Sequence, residues 1–96
     1  MNSTSSWIDR NIEELRALRG GLPVGKVAGY LGYSPWWVRS HAQFFPRTVR
    51  IPQTSGHGDS RRMYDPRDVI AYLEYLAAHQ RRPQTAREIA NTVRSE

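Results

Sequence analysis

The 96-residue chain has 14 basic and 9 acidic residues, a net charge of +5 and no cysteine. Its length allows one domain of ordinary size, and the lack of thiols excludes a disulfide framework and a cysteine metal site. No apolar run approaches the roughly 18 residues needed to span a membrane, and no signal-peptide core is seen near the start. We therefore expect a cytoplasmic protein with no membrane partner. The basic balance favours a polyanionic partner.

The sequence predicts a single domain over residues 1–96, with residues 1–5 frayed. From Ser6 onward, apolar residues recur at helical spacing until a glycine pair ends the pattern: Ile8, Ile12, Leu15 and Leu18, then Gly20 and Gly21. We expect this first helix to pack on the domain core, which we predict over residues 22–80.

Two short helices joined by a tight turn are predicted next. After Pro23, one apolar stripe at positions i, i+3, i+4 and i+7 consists of Val24, Val27, Ala28 and Leu31. Ser34 is a favourable N-cap and Pro35 a favourable first helical residue, so a second helix begins there and runs to Pro46. Two short helices with a glycine-containing turn between them form a helix-turn-helix.

A β-hairpin is predicted after the second helix. Residues 48–51 and 61–64 are rich in β-prone side chains, and the stretch PQTSGHGDS between them is too loose for a two-residue turn. We therefore expect a hairpin with a long loop. A helix-turn-helix followed directly by a hairpin is the winged-helix arrangement.

Two more helices are predicted after the hairpin. Asp65 and Pro66 repeat the cap-plus-proline signal, and the apolar stripe that follows consists of Val69, Tyr72, Leu73, Leu76 and Ala77. An Arg-Arg-Pro sequence ends this helix, and Thr85 with Glu88 fits a capping box for a C-terminal helix over 85–95. The predicted fold class is mainly α with a small β-hairpin: a winged helix-turn-helix with extra N- and C-terminal helices.

The predicted second helix has three faces. With Val38 at the centre of the buried side, Ala42 and Phe45 follow at i+4 and i+7. The boundary consists of Trp37, His41 and Phe44, and the outward face of Trp36, Arg39, Ser40 and Gln43. Arginine reads guanine, glutamine reads adenine and serine contacts bases or phosphate, so we prefer a major-groove reader over a solvated face. The candidate DNA contacts of this helix are Ser34, Trp36, Trp37, Arg39, Ser40 and Gln43.

The two adjacent tryptophans cannot share one role, because neighbours on a helix point about 100° apart. We expect Trp37 to be partly buried, with its indole N–H reaching a phosphate. Trp36 is expected to be exposed and to need a partner. Three partners remain open for it: a thymine methyl or sugar, the N-terminal helix, or another copy of the chain.

Positive charge is concentrated between Ser34 and Arg62, where five arginines and one acid give +4 of the total +5. The candidate DNA contacts of the wing are Arg47, Arg50, His57, Arg61 and Arg62. Arginines on a hairpin neutralise phosphates or enter a minor groove. His57 is the weakest member, because a lone histidine in a loop is more often solvated.

An enzymatic role is not expected. The histidines, His41, His57 and His79, lack metal-ligand spacing, and no glycine-rich phosphate loop precedes a helix. Asp65 and Asp68 lie in the first turn of a helix, where carboxylates act as cap and dipole partner. We predict no catalytic residue, no metal site and no cofactor.

Two motifs resemble the MerR-like winged-helix superfamily and, within it, the phage excisionases, also called recombination directionality factors. The segment VGKVAGYLGYSPWWVR is similar to the family's helix, turn and recognition helix. The segment RMYDPRDV is similar to its Arg-x-Tyr-x-x-x-Asp join from wing to helix. The resemblance runs from about Val24 to Leu76. It implies that Arg39 contacts DNA and Arg62 serves the wing, and that two residues are structural, Tyr64 and Val69.

The resemblance implies a non-catalytic protein that bends double-stranded DNA, binds cooperatively near a phage attachment site, self-associates and helps an integrase towards excision. The chain departs from the family at Trp37, where a small hydroxyl residue is common, and at His41, where an aromatic is common. MerR regulators continue into a dimerisation helix and an effector domain, whereas only about 20 residues follow the helix from Pro66, which favours a minimal DNA-binding protein. Two alternatives remain: a compact transcriptional repressor, and a non-DNA adaptor anchored by the tryptophans.

Overall fold

The computed structural model of the chain describes residues 6–52 and 60–94, without the side chains of residues 52, 60, 61, 93 and 94. The helices are α1 Ser6–Arg16, α2 Val24–Leu31, α3 Pro35–Ser40, a 3₁₀ turn Ala42–Phe44, α4 Pro66–His79 and α5 Ala86–Arg94. The strands are β1 Val49–Pro52 and β2 Ser60–Met63. The prediction of a mainly helical chain with a small antiparallel hairpin is confirmed. Within the described ranges, no helix is long and apolar enough to cross a membrane.

Helix α4 forms the centre of the core. Three of its side chains have no exposed surface: Val69, Tyr72 and Leu73. Helix α1 packs along α4 and buries Ile8, Ile12 and Leu15, as its apolar spacing predicts, whereas Leu18 lies beyond the end of the helix and is exposed. The core is therefore wider than the predicted 22–80, because α1 and Ile89 of α5 belong to it.

A left-handed glycine forms the turn between α2 and α3. Gly32 has φ 76°, a left-handed conformation that is strained for any residue with a Cβ atom. Its N–H donates to the carbonyl oxygen of Ala28 at 2.8 Å. The N–H of Tyr33 donates to the same oxygen at 3.0 Å. The chain then enters α3 at Pro35, capped by Ser34, so the predicted turn of residues 32–34 is confirmed.

The hairpin is joined at its root to the segment that precedes α2. Strands β1 and β2 pair antiparallel, with Val49 opposite Met63 and Arg50 opposite Arg62. Just beyond this ladder, the N–H of Leu22 donates to the Tyr64 carbonyl oxygen at 2.8 Å, and the Tyr64 N–H donates to the Leu22 carbonyl oxygen at 2.7 Å. These two hydrogen bonds fix the hairpin relative to α2.

Gly21→Ala is expected to lower the free energy of unfolding by about 1 to 3 kcal/mol, the usual cost of overpacking. An added Cβ atom would lie 2.9 Å from the Cβ of Met63 and 3.6 Å from the carbonyl oxygen of Tyr64, so the hairpin root must move. Gly29→Ala is the control, since nothing lies within 4 Å of its added Cβ; it should stabilise α2 by about 0.5 to 1 kcal/mol. Urea unfolding measures both, and equal stability of the two variants would contradict the close packing.

Helix α5 begins with a modified capping box. The backbone N–H of Glu88 donates to Oγ1 of Thr85 at 3.3 Å, as predicted. The Glu88 carboxylate also accepts from the backbone N–H of Gln84 at 2.6 Å, one residue before Thr85. This hydrogen bond lowers the pKa of Glu88.

Candidate nucleic-acid interface

Helix α3 is shorter than the sequence pattern predicts. Pro35 is its first residue, and the Ser34 hydroxyl accepts from the N–H of Trp37 at 3.1 Å, which confirms the cap. The helix ends at Ser40 and a 3₁₀ turn follows, so the prediction of one helix up to Pro46 is wrong. As a result Ala42 is exposed rather than buried.

The physical reason for the early end is the burial of two adjacent phenylalanines. Phe44 is 5% exposed and Phe45 is 1% exposed. On a continuous helix these side chains would point about 100° apart, and both would not reach one core. Phe45 follows the 3₁₀ turn with φ −129° and ψ 64°, outside helical geometry, and this departure from the helix lets both rings be buried.

The outward face of α3 retains two of its predicted members. Trp36 is 70% exposed, the largest exposed fraction among the exposed large hydrophobic side chains of the described residues. Arg39, three positions on, is exposed and forms no ion pair with any described acid. Val38 between them is fully buried, as predicted. A contact of Trp36 with the N-terminal helix, with DNA or with another copy of the chain stays a prediction.

The other two predicted members of that face, Ser40 and Gln43, are exposed but differ from the prediction in their hydrogen bonding or position. The single hydroxyl proton of Ser40 is shared by the carbonyl oxygens of Trp36, at 2.9 Å, and Trp37, at 3.1 Å. Ser40 therefore has no proton left to donate to a base or a phosphate. Gln43 is exposed but lies in the 3₁₀ turn, so it does not continue the face that carries Arg39.

Trp37 is half-buried in a cluster of rings, which confirms the prediction of partial burial. The centre of its ring lies 4.3 Å from the centre of the Tyr33 ring and 4.1 Å from that of the His41 ring. The planes of the Trp37 and His41 rings are inclined by 14° to each other. Nδ1 of His41 lies 2.7 Å from the carbonyl oxygen of Trp37, and a carbonyl only accepts, so Nδ1 carries the proton. His41 thus fills the place of an aromatic ring in the stack. A contact between the Trp37 indole N–H and a phosphate stays a prediction.

The hairpin register places two arginines side by side. Arg50 and Arg62 are directly opposite partners, and neither forms an ion pair with a described residue. Arg61 pairs with Ile51, one position further along, and its side chain lies outside the described ones. His57 also lies outside the described residues. The register therefore brings Arg50 and Arg62 together as cross-strand partners, whereas the adjacent residues Arg61 and Arg62 are not paired with each other.

Arg47 forms an ion pair that the sequence pattern did not predict. It lies in the turn before β1, and its guanidinium Nη1 donates to Oδ1 of Asp68 at 2.8 Å. Its backbone N–H donates to Oδ2 of the same carboxylate at 2.8 Å. The Arg47 side chain is still 52% exposed, so its contact with DNA stays a prediction.

Sequence reasoning missed two features of this region. Asp68, interpreted as a dipole partner in the first turn of α4, is only 3% exposed, and burial raises its pKa. A signal existed, because Asp68, Tyr72 and Tyr75 lie at i, i+4 and i+7 on one face. The second feature is Arg82, whose guanidinium carbon lies 4.4 Å from the centre of the Tyr33 ring. No local pattern marks that contact.

Comparison with known proteins gives no relative for the chain. A scan against protein-family models, a search of curated proteins and a search of solved structures each found no match. The resemblance of the two sequence motifs to phage excisionases therefore stays a prediction. Within residues 6–52 and 60–94, no group of three or more histidine, aspartate or glutamate side chains is arranged to hold a metal ion.

Proposed function

We propose that the chain is a double-stranded DNA-binding protein of the winged helix-turn-helix type. In this proposal α2 and α3 form the helix-turn-helix, α3 enters the major groove, and the β1–β2 hairpin is the wing. The observation that carries the proposal is the pairing of Arg50 with Arg62, without an acid partner among the described residues. Like charges directly opposite each other destabilise a sheet. Phosphate groups of DNA supply the missing anions.

Helix α3 supplies the base-reading part of the proposed interface. Arg39 is exposed and has no acid partner among the described residues, so its guanidinium is available for the paired acceptors of a guanine edge. The capping bond to Ser34 uses an acceptor lone pair of its hydroxyl and leaves the proton available for a phosphate. Base reading is thus assigned to Arg39, and phosphate contact to Ser34 and to the arginine pair of the hairpin.

Arg39→Ala and Arg62→Ala should weaken DNA binding in different ways. Arg39→Ala should reduce the affinity for the preferred sequence by about 1 to 3 kcal/mol and relax the base preference. Arg62→Ala should weaken all sequences similarly and reduce the slope of log K against log salt by about 1. Gel-shift titrations at several salt concentrations measure both effects. Arg10→Ala, which removes an exposed arginine of α1, is the control.

The proposed function fails if the wild-type protein shows no salt-dependent affinity for any duplex. It also fails in its assignment of roles if both variants bind as the wild type does. In the first case the adaptor alternative, in which the tryptophans contact a protein, takes its place; in the second case the recognition surface lies elsewhere on the chain.

We further propose, on the two motifs that resemble excisionases, that the biological role is to direct phage recombination towards excision with the help of an integrase. The protein would bind adjacent sites cooperatively and bend the DNA, since a bend of tens of degrees costs only about 1 to 6 kcal/mol. Footprints on attachment-site and promoter DNA at rising protein concentration test this role. Tandem protected sites with strong bending support it, whereas a single palindromic operator supports a repressor.

A further inference from the structure

Trp36 is an isolated apolar side chain on a polar face. It is 70% exposed, and its neighbours on the outward face of α3 are Arg39 and Ser40. The other large exposed hydrophobic residues of the described chain lie on other segments: Trp7, Leu18, Val49 and Ile51. A protein-docking surface has a contiguous apolar centre, which a single indole does not provide. A partner that offers one small apolar group fits this face better.

The structure also reduces the number of side chains that can read bases. Ser40 donates its proton to the backbone of α3, and Gln43 lies in the 3₁₀ turn beyond the helix. Arg39 is then the polar reader of the six-residue helix, and Trp36 is its exposed neighbour at i+3. Among the exposed side chains of this helix, the indole of Trp36 is therefore the remaining large group that can contact a second base pair.

We propose that Trp36 is a specificity-determining residue that selects thymine through its 5-methyl group, and this inference rests on the proposed DNA-binding function. The thymine methyl is the apolar group that base pairs display in the major groove. An indole offers a broad apolar ring and one N–H donor, with no acceptor to pair with adenine or cytosine amino groups.

The spacing of the two readers limits where this thymine lies. Side chains at i and i+3 of a helix are about 5 to 6 Å apart at their Cβ atoms. Successive base pairs are about 3.4 Å apart along the duplex axis. The thymine selected by Trp36 is therefore expected within about two base pairs of the guanine that Arg39 contacts.

The test uses the full chain and begins with selection of bound sequences from a random duplex library. Each thymine of the selected site is then replaced by deoxyuridine, which keeps the hydrogen-bonding groups and removes only the methyl. The wild type should lose about three- to fivefold in affinity at one position, the effect of one buried methyl group. Trp36→Ala should bind the thymine and uracil probes equally well.

Two controls accompany this measurement. Trp7→Ala removes another exposed tryptophan, on α1, and should keep the full thymine-to-uracil penalty. Replacing the same thymine–adenine pair by 5-methylcytosine–guanine keeps a methyl at that place in the groove. The wild type should lose less affinity with this probe than with a probe that carries unmethylated cytosine–guanine at the same position. Trp36→Ala should bind the methylated and unmethylated cytosine probes with equal affinity.

The inference is overturned if the wild type selects a specific site yet tolerates uracil at every thymine. It is also overturned if Trp36→Ala keeps the full penalty, or if that variant changes only self-association. Absence of binding to any duplex has a different meaning, because it removes the proposed DNA-binding function and the inference together.

Discussion

Tyr72→Ala is expected to lower the free energy of unfolding by about 3 to 5 kcal/mol, the range for removing a large buried ring. The side chain has no exposed surface. Its ring centre lies within 5.5 to 6.3 Å of four others: Tyr33, Trp37, Phe44 and Phe45. Because these rings belong to the α2–α3 turn, α3 and the segment after it, Tyr72 joins α4 to the whole proposed DNA-reading unit.

Urea unfolding followed by tryptophan fluorescence measures this loss. Tyr72→Phe is the matched control, since it keeps the ring and removes the hydroxyl pair with Tyr33, 3.2 Å between the two oxygens. It should cost only about 1 kcal/mol, the net value of one hydrogen bond. A cost for Tyr72→Ala no greater than that of the phenylalanine variant would show that the ring cluster does not stabilise the fold.

Asp68→Ala is expected to cost about 2 to 3 kcal/mol at neutral pH. The change removes the acceptor of two hydrogen bonds from Arg47, one from its backbone N–H and one charge-assisted bond from its guanidinium. Asp65→Ala is the control in the same turn of α4. Asp65 is a partly exposed N-cap that accepts from the backbone N–H of Arg67, and its loss should cost about 1 kcal/mol.

The two carboxylates should respond to acid in opposite ways. Burial raises the pKa of Asp68, whereas hydrogen bonds from Arg67 lower the pKa of Asp65. With a raised folded-state pKa, the pH-dependent part of the Asp68 contribution is complete below the unfolded value of about 3.9 and is lost as the pH rises through the folded value, while the part supplied by the bonds from Arg47 remains at neutral pH. The contribution of Asp65 is present above its unfolded value and is lost as the pH falls through the folded value.

The loss of unfolding free energy caused by Asp68→Ala should therefore be larger at about pH 4 than at about pH 7. The loss caused by Asp65→Ala should be smaller at about pH 3 than at about pH 7. Unfolding curves for the wild type and both variants across this range provide the comparison. An Asp68→Ala deficit that grows with pH would mean that the bonds from Arg47 outweigh burial.

Local signals predicted the starts of the helices well. Ser34 with Pro35 and Asp65 with Pro66 mark the first residues of α3 and α4, because a cap and a proline act within one turn of the chain. The apolar stripes of α1, α2 and α4 likewise contain most of the side chains that are buried. These features depend on neighbours in sequence.

Features that depend on distant residues were predicted less well. The end of α3 is set by the joint burial of Phe44 and Phe45 against α4 and the hairpin region, and helical spacing alone does not reveal it. The strands were predicted, but the pairing of Arg50 with Arg62 depends on the register. The attachment of Arg47 to Asp68 joins residues on two separate segments, so no local pattern reveals it.

The hydrogen bonds between Leu22 and Tyr64 have a topological consequence. They close the chain into a loop whose two ends meet, and both α3 and the arginine pair of the hairpin lie inside it. The entropy of loop closure is spent once, during folding, for both elements. Helix α3 and the strand positions of Arg50 and Arg62 therefore belong to one closed unit, so the backbone that carries these proposed contacts is already ordered before binding.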